Sequence, residues 1–115
     1  MNKNMLKHIF IIFILLISAG VHANTQVPTN RIIKKIWTYQ HLMVIEFSPS
    51  IPNDQGCLGS GAEYRVAIEF AGDAEKQIAS VALSAYLAGK PVGFGIGGGC
   101  NSWGEGIPKI YRIDI

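Results

Sequence analysis

Histidine is scarce in this chain. Of three in 115 residues, only His41 lies past residue 23, and the chain has only two cysteines, Cys57 and Cys100. Two thiols and one imidazole are a poor ligand set for a metal that wants four donors, so no metal is expected. A Ser-His-Asp relay would have to use His41, and no serine stands at a strand-to-helix elbow. Glu63 and Glu69 share one strand face but are six residues apart, roughly 20 Å at strand rise, too far to work on one bond. The sequence therefore predicts neither an enzyme nor a bound cofactor.

An excess of charge of one sign is also missing. The chain has ten basic and eight acidic residues; without residues 1–23, which carry Lys3 and Lys7, there are eight of each. Such a balance offers no electrostatic field for nucleic acid. The one long apolar run is Ile9 to Ile17, nine residues, against the roughly 20 needed to span a bilayer. It follows Lys3 and Lys7 and leads into Ser18-Ala19-Gly20-Val21-His22-Ala23. Positive region, apolar core and small-residue site in that order make a secretory signal. Residues 1–23 are thus expected to be a signal peptide, leaving no membrane span after cleavage and a periplasmic or secreted domain. Asn24, not a cysteine, becomes the new N-terminus after the cut at Ala23, so no lipid anchor is expected.

Cleavage would leave 92 of the 115 residues. A domain of this size buries only somewhat over ~60 % of its unfolded surface, so a covalent staple matters. Two cysteines in an exported chain pair by default. Cys57 and Cys100 would close a loop of 43 positions, worth roughly 4 kcal/mol on the chain-entropy model.

Residues 24–30 are polar with Pro28 and read as a flexible leader; residues 31–115 form the domain. Arg31 to Tyr39 is rich in β-branched and aromatic residues, and its alternation slips at Lys34-Lys35 as at a β-bulge. A turn at Gln40-His41 leads to a second strand, Leu42 to Phe47. Ser48 to Gly61 is a loop punctuated by Pro49, Pro52, Gly56, Gly59 and Gly61. In the third strand Tyr64, Val66, Ile68 and Phe70 alternate with Glu63, Arg65, Ala67 and Glu69, the pattern of a half-buried strand.

A helix follows, with Asp73 as N-cap, Glu75 in its first turn and Gly89 as a left-handed C-cap before Pro91. Ile78, Val81, Ala82 and Ala85 line one face, while Ala79, Leu83, Tyr86 and Leu87 widen it, so the helix is expected to touch something besides its own sheet. Val92, Phe94 and Ile96 form one face of a fourth strand, and Gly93, Gly95 and Gly97 the other, marking a bend or close backbone approach. Gly98 to Gly106 is a loop. Ile107 to Ile115 is the fifth strand, its start confined to a sheet edge by Pro108. The order β1-β2-β3-α-β4-β5 predicts a mainly β fold with one helix, an OB-fold-like five-stranded Greek-key barrel. A helix-on-sheet domain of another topology is the alternative.

Gly93-x-Gly95-x-x-Gly98 matches a dinucleotide fingerprint by letter, but such a motif should open a helix, and here a loop and a strand follow. Candidate ligand contacts are Asn101, Ser102, Trp103 and Glu105, a loop aromatic among polar groups as sugar sites use, with Trp37 and Tyr39 near the end of the first strand. The competing reading packs Trp103 over the disulfide and uses Trp37 as a cap on the barrel.

The layout of Ser80-Val81-Ala82-Leu83-Ser84-Ala85-Tyr86-Leu87, Gly89-Lys90-Pro91-Val92, Cys100 and Ile110-Tyr111-Arg112-Ile113 resembles the B subunits of AB5-type bacterial toxins, of the subtilase cytotoxin and pertussis-like group. The resemblance spans Arg31 to Ile115. It implies a ring-forming pentamer that binds glycans, with the helix towards a central pore. The expected function is an exported, non-catalytic, glycan-recognising protein. The alternative is a periplasmic interaction or inhibitor module that docks on an envelope or secreted protein through an open sheet edge.

Overall fold

A computed structural model describes residues 24–102 and 106–115. The expected signal peptide, Trp103 and Glu105 lie outside the described residues. The fold is mainly β: β1 (Thr25–Thr38), β2 (Leu42–Ser48), β3 (Arg65–Glu69), helix α1 (Asp73–Ala88), β4 (Val92–Cys100) and β5 (Pro108–Asp114). Among the described residues no helix is long and apolar enough to cross a membrane.

The strands close into a ring in the order β1-β2-β3-β5-β4, so neighbours around the ring do not follow chain order. β5 enters between β3 and β4, parallel to β3 through Ala67 and Lys109 and antiparallel to β4. The long β1 closes the ring because it pairs with β2 along one stretch and with β4 along another. Two features allow this. The register slips between Ile33 and Lys35, the bulge anticipated at Lys34-Lys35, and a bulge bends a strand. A second irregularity lies between Val27 and Arg31.

The leader reading of residues 24–30 is therefore corrected, since β1 begins at Thr25. Its polar outer residues need no apolar partner because β4 supplies the backbone pairing. Pro108 does not mark a sheet edge either. It is fully buried and pairs with Cys100, because β5 has a neighbour on both sides.

One core fills the ring. Val27, Ile33, Met43, Ile45, Phe47, Ile51, Val66, Ile68, Val92, Phe94, Ile96 and Ile110 pack together, with the Phe47 and Phe94 rings 5.0 Å apart. Helix α1 lays Ala79, Ala82 and Ala85 against this core, small residues that let its backbone sit close. Gly72, not Asp73, is the N-cap, while Gly89 ends the helix at φ 65° and its N–H reaches the Ala85 and Tyr86 carbonyls. Leu83, Tyr86 and Leu87, spaced i, i+3, i+4, remain exposed.

The expected close approach at the glycine face of β4 is present. A Cβ on Gly93 would strike the Val27 carbonyl of β1, and one on Gly97 would meet Asn24 and Tyr111. Gly93, Gly95 and Gly98 all lie within β4 and open no helix.

Candidate functional site

The outer face of β1, β2 and β3 is built from cross-strand rows. Lys35 faces Glu46, which faces Arg65; Trp37 faces Val44, which faces Ala67; Leu42 faces Glu69. In the first row Arg65 Nε lies 3.0 Å from Glu46 Oε2. Lys35 Nζ sits 4.5 Å from the centre of the Trp37 ring, and the Arg65 guanidinium 5.1 Å from it. Each such contact contributes about 0.5–1 kcal/mol at an exposed position.

Alternation alone predicts this face open to solvent at Ala67. Instead Val44, Ala67 and Ile107 form a second, fully buried cluster, with Trp37 and Leu42 packed against it. Ile107 comes from the far end of the chain. It is held by Asn101, whose Oδ1 accepts from Ile107 N–H at 3.1 Å and whose own N–H donates to the Ile107 carbonyl at 2.9 Å. The β3 strand is thus buried on both faces at Val66, Ala67 and Ile68, a correction to the half-buried expectation.

A clasp holds that loop in place. Cys57 and Cys100 are disulfide-bonded, as anticipated. Gly59 N–H donates to the Gly106 carbonyl at 2.8 Å, and Gly99 N–H to Gln55 Oε1 at 3.2 Å. Asn53 grips Cys57 at both its N–H and its carbonyl. The Ser48–Gly61 loop is in turn tied to β1 by Arg31, which donates to the Pro49 and Ser50 carbonyls.

Below this face opens a cleft of about 380 Å³, lined by His41, Leu42, Glu69, Phe70, Ala71 and Ser102. This volume falls within the range of small-ligand sites. Three separate segments meet here. The β1–β2 turn brings His41, and Phe70 N–H donates to the His41 carbonyl at 2.8 Å. The end of β3 brings Glu69 and Phe70, and the β4–β5 loop brings Ser102. The floor is apolar; the imidazole, carboxylate and hydroxyl provide donors and acceptors. No hydrogen bond joins Ser102, His41 and Glu69 to one another.

Among the anticipated contacts, Ser102 lines the cleft. Asn101 is 6 % exposed, with its amide oxygen engaged by Ile107. Trp37 packs against Val44 and Ala67 on the outer face of the sheet. Tyr39 lies just past the end of β1, exposed, its N–H on the Leu42 carbonyl at 2.8 Å. His41, Glu69 and Phe70, not among the anticipated contacts, line the same cleft. Their signal was positional: Glu69 ends β3 directly opposite Leu42, the first residue after the turn. Among the described residues no cluster of His, Cys, Asp and Glu could hold a metal ion. No family model, curated protein or solved structure matches the chain.

Proposed function

We propose that this is an exported, non-catalytic binding protein of OB type that recognises a glycan in the cleft of His41, Glu69, Phe70 and Ser102. The observation that carries the reading is the convergence of the β1–β2 turn, the end of β3 and the β4–β5 loop on one cleft. OB-type barrels bind oligosaccharides with the face of strands two and three and the loops after strands one and four. An apolar floor with a few polar groups suits a sugar, whose C–H face packs while its hydroxyls exchange hydrogen bonds. The Greek-key OB reading of the barrel draws support from the ring order and from the helix between β3 and β4.

The test is a glycan array probed with the oxidised protein and with Glu69→Gln and Ser102→Ala. Glu69→Gln is expected to lower binding about tenfold or more, the loss of one charge-assisted hydrogen bond, with unfolding unchanged. A wild-type protein that binds no glycan would sink the reading.

The exposed Leu83, Tyr86 and Leu87 of α1 support self-association, as in the pentamers that the toxin-like layout implies. They equally favour the second reading, an envelope interaction module. Light scattering separates the two: five protomer masses favour the ring, and a monomer favours the module.

A further inference from the structure

A second cleft of about 280 Å³ adjoins the first and shares Glu69 and Ala71 with it. It runs between the start of α1, at Ala74, Glu75 and Ile78, and the β4–β5 pair, at Gly97, Gly98, Lys109 and Tyr111. Gly97 has Asn24 and Tyr111 packed against it, while Gly98 brings no side chain and has only Lys109 at its side. Its wall is firm. The Tyr111 ring lies beside Gly97, and its hydroxyl, at the Gly95 end, accepts from Gln26 Nε2 at 2.7 Å. Gln26 Oε1 in turn accepts from Arg112, which also binds Asp114. Glu69, Glu75 and Lys109 are all partly buried, yet none forms an ion pair among the described residues. Two carboxylates and one ammonium are therefore available to a ligand.

We infer that the two clefts form one groove for an oligosaccharide, with a second, neutral sugar unit seated between Glu75, Lys109 and Tyr111. The inference rests on the glycan reading of the first cleft. Carboxylates accept from adjacent sugar hydroxyls and an ammonium donates to them. The Tyr111 edge and the open space at Gly98 receive the ring. Two acids against one base disfavour an anionic unit there.

The experiment uses the oxidised protein and neutral glycans of one, two and three units drawn from whichever series the wild type binds on the array. Affinities are measured by calorimetry for the wild type, Ala74→Trp and Glu75→Gln. Ala74 is an exposed position early in α1, where an indole would fill the second cleft. In the wild type, two or three units should bind at least about tenfold more tightly than one, and Ala74→Trp should erase most of that gain. Glu75→Gln should reduce the gain without enlarging a side chain, and so bears on the inference even if Ala74→Trp fails to fold. Equal affinity for one and three units in the wild type, or a full gain in both variants, overturns the second unit while leaving the first cleft intact. Absence of any glycan binding overturns both readings together.

Discussion

The Tyr111 ring fills the space that a side chain at Gly95 would need: a Cβ there would stand 2.8 Å from Tyr111 Cζ. The glycine face of β4 is thus covered by an aromatic from the next strand. It is not bare, and the ring cannot simply swing away because Gln26 holds its hydroxyl.

Gly95→Ala is therefore expected to destabilise the protein by about 1–3 kcal/mol, the usual cost of overpacking. Tyr111→Ala should relieve most of the added cost, so urea unfolding of the double variant should show strong coupling. Additivity within about 0.5 kcal/mol would mean that the ring moves aside freely.

Replacing both cysteines, Cys57→Ser with Cys100→Ser, should lower stability by about 2–5 kcal/mol. The 43-residue separation sets the entropic part, and the loop clasp is released with it. Unfolding in the presence of a thiol reductant should shift the wild type to the same midpoint. An unchanged midpoint would show that the hydrogen bonds of Gln55, Gly59 and Asn53 hold the clasp without it.

Asn101→Ala removes the acceptor for a buried N–H at Ile107, so a loss of about 1–3 kcal/mol is expected. Because Asn101 also positions the loop beside Ser102, glycan affinity should fall in parallel. Normal stability with lost affinity would instead make Asn101 a direct contact.

Trp37→Ala should cost about 2–4 kcal/mol, as for other truncated aromatics in packed sites, because Val44 and Ala67 would lose their cover. Thermal unfolding measures this. Wild-type stability combined with abolished glycan binding would reassign Trp37 from cover to sugar platform.

Much of the fold was legible because its signals are local. The slip at Lys34-Lys35, the turn at Gln40-His41 and the stop at Gly89 each depend on a few neighbouring residues. What could not be read depends on distant ones. Nothing in Thr25 to Asn30 suggests a strand, because its pairing partner is β4, some 70 positions on. Ala67 alternates as an outward residue and is buried only because Ile107 folds over it. The cleft was half legible for the same reason. Ser102 stood out in a polar loop, whereas Glu69 resembled a solvated strand charge until the topology set it beside Ser102.

The closed ring carries a consequence for how this protein meets other chains. Every described strand has a neighbour on each side, and β1 divides its length between two of them, Thr25 to Arg31 against β4 and Ile32 to Thr38 against β2. The ring thus presents no whole edge strand of the kind that templates edge-to-edge aggregation. Contact with a partner falls chiefly to side chains, on the α1 stripe or around the clefts, and should yield to point substitutions there.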